Sequence, residues 1–95
     1  MKAKTKTSCC CSELLCALSD KNRLGIVLFL GEGEKCVCEI LRHLKRPQNL
    51  VSHHLGVLKA RGLIKSRKEG RWVYYSLSPA SLKKLQKFLA NIINK

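Results

Sequence analysis

The sequence predicts a mainly α-helical domain closed by a β-hairpin, the layout of a winged helix-turn-helix, and three observations carry that expectation. Apolar residues recur at helix-face spacing in four segments between Cys11 and Ile93, and a fifth, Ile26 to Leu30, is apolar all round. Pro47 separates two short helical segments by a tight turn. After Gly62 the apolar period changes to that of strands, in a basic run and a β-branched, aromatic run joined by Lys68-Glu69-Gly70-Arg71.

Each element has its own signal. Residues 1 to 8 carry Lys and Thr without a core pattern, so a basic, Cys-rich tail of about residues 1–12 is expected ahead of a single domain filling the 95-residue chain. Cys11, Leu14, Leu15 and Leu18 mark one face of a first helix, with Ser8 or Ser12 as cap and Cys16 pointing away. Asp20 caps a second helix whose run Ile26 to Leu30 is apolar all round and expected to be buried, and Gly31-Glu32-Gly33 ends it. Val37, Ile40, Leu41 and Leu44 form a short third helix that Pro47 closes. A fourth starts at Gln48. It buries Val51, Leu55 and Leu58 with Leu50 at the edge, which leaves Asn49, Ser52, His53 and Gly56 facing outward. Ile64 to Arg67 and Trp72 to Leu77 make the hairpin, where Trp72, Tyr74 and Tyr75 are expected to pack across strands. Ser78-Pro79 starts a last amphipathic helix on Leu82, Leu85, Leu89, Ile92 and Ile93.

Composition narrows the partner. Nineteen Lys and Arg against 6 Asp and Glu give a formal charge of +13, which calls for a polyanion, nucleic acid before an anionic membrane. No apolar run approaches the ~20 residues of a bilayer span, and the Lys-rich start lacks a signal-peptide core, so a cytoplasmic location is expected. There the 6 Cys are free thiols for metal binding or redox sensing, not disulfides. A disulfide-held extracellular miniprotein is the lesser alternative, because the helical stripes already supply a core. The 3 His and 6 acids show no pairing with a nucleophile and there is no Gly-rich phosphate loop, so no enzyme is expected.

Thiolates select Zn, Cd, Pb, Cu(I) and trivalent arsenic over Ca or Mg. Cys36 and Cys38 head the third helix, but two ligands leave a metal site incomplete. On an ideal helix they would point about 200° apart. Both can hold one ion only if the first turn is unwound or the helix begins after Cys36. Cys9, Cys10 and Cys11 are the candidates that complete the site, within one subunit or across a dimer, since three adjacent Cys cannot all face one core. Cys11 and Cys16 fit packing as well as ligation. Lys35 would favour the Cys36 thiolate.

On the basic side, Gln48, Asn49, Ser52 and His53 form the face that would read bases, and Arg67, Lys68 and Arg71 the wing that would lie along the minor groove or backbone. A plain helix start is the lesser reading of Gln48. His54, spaced four from Leu50 and Leu58, reads as a half-buried histidine and stays out of the site. Apolar faces left on the first and last helices point to a homodimer addressing a pseudo-palindrome.

Set in order, Ala17-Leu18-Ser19-Asp20-Lys21-Asn22-Arg23-Leu24, Cys36-Val37-Cys38-Glu39, Ser52-His53-His54-Leu55 and Glu69-Gly70-Arg71-Trp72-Val73-Tyr74-Tyr75 resemble the ArsR/SmtB family of metalloregulatory repressors over about residues 14–79. The resemblance implies a dimeric repressor that leaves its operator when a thiophilic ion binds, As(III) or Sb(III) first, Cd(II) or Pb(II) as the alternative. The third Cys that arsenic sensors often carry three residues after the second is Leu41 here, so the missing ligand falls to the N-terminal thiols. The family's second site, zinc on the last helix, has no counterpart, since residues 80–95 contain no His, Asp, Glu or Cys. A redox-responsive repressor using the same thiols is the alternative within the DNA-binding class. A thiol-rich metal buffer or chaperone is the alternative of another class, and it leaves Gln48 to Leu77 without a purpose.

Overall fold

The computed structural model describes residues 5–94, with side chains from residue 12 onward. Within them run α1 (Thr5–Leu18), α2 (Lys21–Leu30), β1 (Lys35–Cys36), α3 (Val37–Leu44), α4 (Gln48–Ala60), β2 (Ile64–Glu69), β3 (Trp72–Leu77) and α5 (Pro79–Ile93). The helices and hairpin predicted from the sequence are all present. The first helix, however, begins at Thr5, not near Cys11, and so takes in most of the stretch expected as a tail.

Short helices survive by burying one face. Ile26 of α2, Ile40 of α3, Val51 and Leu58 of α4, and Leu63 at the entry to the hairpin are fully enclosed. Leu14 and Ala17 of α1 and Leu85 of α5 close the core from the other side. Two burial expectations fail. Leu15 turns outward, because the buried face of α1 runs through Leu14, Ala17 and Leu18. The α2 run is not buried all round, since Leu28 is 66% exposed: α2 meets the core through Ile26, Val27 and Leu30 and shows its other side to solvent.

The helix ends follow their capping chemistry. Asp20 Oδ1 accepts from the N–H groups of Asn22 at 2.8 Å and Arg23 at 3.2 Å, satisfying two donors that the first turn of α2 leaves free. Burial pushes the Asp20 carboxyl up, but those two N–H groups, with His54 and Arg23 nearby, outweigh it and hold the group below its usual range. Between α3 and α4 the chain turns through Lys45 in the left-handed region, φ 55°, and Pro47 occupies the N-cap position of α4. Ser78 stands at the N-cap of α5 as expected, yet its hydroxyl makes no capping bond.

The sheet is larger than a hairpin. Its order is β1-β3-β2, all antiparallel, with Lys35 opposite Tyr75 and Cys36 opposite Tyr74. The hairpin itself is also longer than expected, because Lys68 and Glu69 continue β2 and Glu69 pairs with Trp72. Only Gly70 and Arg71 remain as the loop, and Gly70 carries the positive φ, 64°, that a two-residue hairpin turn needs at its first position. Trp72, expected to pack, is half exposed beside this turn.

Candidate metal centre and nucleic-acid interface

α3 begins at Val37, so Cys36 is the N-cap residue in extended conformation and Cys38 lies in the first turn. The 200° separation of an unbroken helix therefore does not arise. The strand-to-helix bend brings the two sulfurs to 3.2 Å, with the Cys38 thiol donating to Cys36 Sγ. Glu39 fixes the bend: its carboxylate accepts from the Cys36 N–H at 2.8 Å, the return half of a capping box. Cys36 is buried and Cys38 half-buried.

The hydrogen bond to Cys36, together with burial and the proximity of the Cys36 sulfur, pushes the Cys38 thiol above its usual range. Two thiolates on one ion at about 2.3 Å, subtending about 90–110°, stand roughly 3.3–3.8 Å apart. The pair is thus close to ligating separation already. Among the described residues no third Cys, His, Asp or Glu joins it to make a three-ligand group. The side chains of Cys9, Cys10 and Cys11, the expected completing ligands, lie outside the described residues, although their backbone is helical. Cys16 is exposed on α1.

Lys35 does not serve the thiols. Its ammonium sits 3.4 Å from Glu32 Oε1 and 4.6 Å above the Phe29 ring, which in turn stacks on His43 at 4.0 Å. These contacts pack the β1 segment onto α2 and α3.

Gln48, Asn49, Ser52 and His53 are all exposed on α4: Asn49 and His53 lie on the side opposite Val51, Leu55 and Leu58, Ser52 at its flank, and Gln48 at the first position of the helix, in line with Leu55. Asn49 Oδ1 accepts from the Leu50 N–H at 3.0 Å, which leaves its amide N–H₂ free to donate. His54 is buried and stands 3.9 Å from Asp20 Oδ1, without a hydrogen-bonded partner among the described residues. It packs α4 against α2, further inside than the half-buried place expected for it.

In the wing, Lys68 and Arg71 are exposed. Arg67 is already engaged within the chain. Its guanidinium donates to both oxygens of Glu34, at 2.8 and 2.9 Å, and to Glu69 at 2.7 Å, and it lies 4.7 Å from the Tyr74 ring centroid. A cation held by two carboxylates is a poor phosphate ligand in this state, so Arg67 separates from Lys68 and Arg71. The sequence reading missed Glu34, which has no local pattern to mark it. It also passed over the exposed basic group Arg42, Lys45 and Arg46, which leads directly into α4. Its signal was the charge run around Pro47.

The sequence profile of the family described as "Bacterial regulatory protein, arsR family" matches residues 20–66. The chain is 42% identical over 79 residues to an HTH-type transcriptional regulator of Methanocaldococcus jannaschii, covering 82% of this chain and 89% of that one. It is 48% identical over 68 residues to the arsenical resistance operon repressor of Escherichia coli, covering 70% of this chain. It is 46% identical over 70 residues to a cadmium resistance regulatory protein homologue of Staphylococcus aureus, covering 73% of this chain. The matched region spans 58% of the length of each of these last two relatives. Among solved structures, HlyU from Vibrio cholerae superposes with a TM-score of 0.80 at 32% identity, covering 100% of both chains. With a winged-helix architecture and relatives of this kind, the chain belongs to the arsR family of transcriptional regulators and is not an enzyme.

Proposed function

We propose that the protein is a metal(loid)-responsive repressor: a homodimer that holds operator DNA in the cytoplasm and releases it when a thiophilic ion is taken by Cys36 and Cys38. The observation that carries this reading is the 3.2 Å separation of the two sulfurs at the start of α3, the helix that precedes the DNA-facing α4. As(III) or Sb(III) is the first candidate and Cd(II) or Pb(II) the alternative, as the names of the arsenical and cadmium relatives suggest. One or two of Cys9, Cys10 and Cys11 complete the site, from the same subunit or the partner. On a helix, neighbours are about 100° apart, so all three cannot converge on one ion.

Gln48, Asn49, Ser52 and His53 enter the major groove, while Lys68 and Arg71 hold the flanking backbone. Ion capture alters the α3 start and thereby the seat of α4, which gives the two states different DNA affinity. The test is a titration of DNA-bound protein with As(III), Sb(III), Cd(II), Pb(II) and Zn(II). Release by a thiophilic ion is expected, and its disappearance in Cys36→Ser/Cys38→Ser. Release that persists in that variant moves the inducer site elsewhere.

The same 3.2 Å also favours a second reading, in which peroxide takes two electrons and two protons from the thiols to give a Cys36–Cys38 disulfide and two waters. Peroxide would then release DNA where ions do not.

A further inference from the structure

We infer that Glu34 and Arg67 are the coupling residues that carry ion capture at Cys36 into the wing. The inference rests on the reading of Cys36 and Cys38 as the inducer site and specifies how that site is heard at the DNA.

β1 is the weakest part of the sheet. It pairs with β3 at only two residues, whereas β2 and β3 pair at six. Within the sheet it pairs with β3 alone, since the order β1-β3-β2 puts β3 between it and β2. Backbone hydrogen bonds therefore give β1 no direct hold on the outer wing strand. The side chains supply one. Glu34 immediately precedes β1, and both its oxygens accept from Arg67 on β2, a bridge spanning 33 residues of sequence. Arg67 stands opposite Tyr74 in the sheet, and Cys36 stands opposite the same Tyr74 from the other side. Cys36, Tyr74 and Arg67 thus form one row across the three strands, with the guanidinium over the Tyr74 ring and reaching back to the segment that holds Cys36.

The pairing is bidentate, and that geometry fixes direction as well as distance. Glu69 accepts from the same guanidinium at Nη1, but that contact lies inside the wing and does not reach β1. Both Glu34 and Arg67 are partly exposed, and an exposed pair adds little stability. Its worth here is connection. A shift of Cys36 towards a shared ion moves Glu34 two residues away. The wing either follows through Arg67 or loses it, and in the second case Arg67 is freed beside Lys68. Either outcome makes wing position depend on the thiol site, and that is the differential state a coupling free energy requires.

The experiment uses the full chain, with arsenite and in parallel Cd(II), and a duplex selected by the wild-type protein from a random pool. Two quantities are read: ion binding, from thiolate-to-ion ultraviolet absorption, and the factor by which saturating ion lowers DNA affinity, from fluorescence anisotropy. For the wild type that factor is expected within about 5–150. In Glu34→Gln and in Arg67→Gln it should fall at least threefold, with ion binding within twofold of wild type. Glu69→Gln, which removes a contact lying wholly inside the wing, should leave the factor unchanged. An unchanged factor in both Glu34→Gln and Arg67→Gln overturns the proposal. So does a loss of ion affinity in step with the factor, which would make the pair part of the site itself, and so does an equal fall in Glu69→Gln. If the wild type is not released at all, or Cys36→Ser/Cys38→Ser is released as before, the thiol reading fails first and takes the coupling with it.

Discussion

The position of one proton decides how Cys36 and Cys38 can act. The Cys38 thiol donates to Cys36 Sγ, and this bond with burial holds Cys38 protonated beyond its usual 9.0. A protonated thiol is no ligand, so capture must expel that proton. Arsenite, As(OH)3, carries the thiol protons off as water and should show no such slope, whereas apparent affinity for Cd(II) or Pb(II) should rise with pH, by up to about tenfold per unit for each proton released, and go on rising through pH 9.0 instead of levelling there. Thiolate absorption titrations from about pH 6 to 10 measure this. A plateau below the ordinary thiol range would contradict the geometry. The sign for stability is the reverse: a raised thiol favours the neutral form in the folded chain, so its contribution is present at low pH and is lost as pH passes the folded value. On α4, the exposed side chains divide by what they can touch. Asn49→Ala and Ser52→Ala should each remove about 1–3 kcal/mol of discrimination between specific and random duplexes. Lys68→Ala and Arg71→Ala should weaken both alike and flatten the salt dependence by about one unit of slope. Competition binding at several salt concentrations separates the two classes. Equal loss on both duplexes for Asn49→Ala would remove it from the reading face.

At the scale of elements, the helix boundary at Cys36 and Val37 does the chemical work that a continuous helix could not. The helices were legible because burial imposes a period, and Ile40 with Leu44 or Val51 with Leu55 display it within a single turn. The thiol pair was legible as a pair, and so was the requirement that the helix begin after Cys36. Strand β1 was not legible, since two residues carry no alternation, and its partner lies some forty residues away. The Glu34–Arg67 bridge was hidden for the same reason, and without it Arg67 reads as one more basic residue of the wing. Leu28 misled because an unbroken apolar run has no visible outer side. These short elements are also tied by carboxylates, which gives the fold an acid edge. Arg67 holds Glu34 below its usual 4.5, and the helix-end N–H groups, overcoming burial, hold Asp20 below 3.8. Depressed carboxylates stabilise the folded chain above those values, and the contribution is lost as pH falls through the lower folded ones. Melting temperature, followed by circular dichroism from about pH 5 to 2, should drop across that window. Glu34→Gln should start lower and drop less. An identical pH profile in wild type and variant would show that the β1 bridge does not contribute.

For the molecule as a whole, the apolar surface left outside the core is what the proposed homodimer would cover. The chain exposes 6594 Å², against about 5,500 Å² expected of a compact monomer of this length. Its extents, 45 × 21 × 21 Å, describe a rod with little interior. Part of the exposed apolar surface lies on α1 and α5, which run together: Leu15 is 41% exposed, Leu89 46%, Ile92 54% and Ile93 80%. Fully burying a Leu or Ile side chain is worth at most about 1.5–3 kcal/mol, so a seam formed twice by such residues would favour association of two copies. The two α4 helices would then address half-sites about one helical turn, roughly 34–36 Å, or two turns apart. Leu89→Glu/Ile92→Glu places charges on that seam without touching α3, α4 or the wing. Sedimentation should find the wild type at twice the chain mass and this variant at the chain mass. The variant should lose most of its affinity for a duplex with two half-sites, yet keep the wild-type ion titration if the thiol ligands come from one subunit. If the ion titration collapses with the dimer, the completing thiols cross the interface, and the N-terminal Cys of one copy serve Cys36 and Cys38 of the other. A variant that remains dimeric would place the seam elsewhere on the rod, with the exposed Leu24 and Leu28 face of α2 next to be tested.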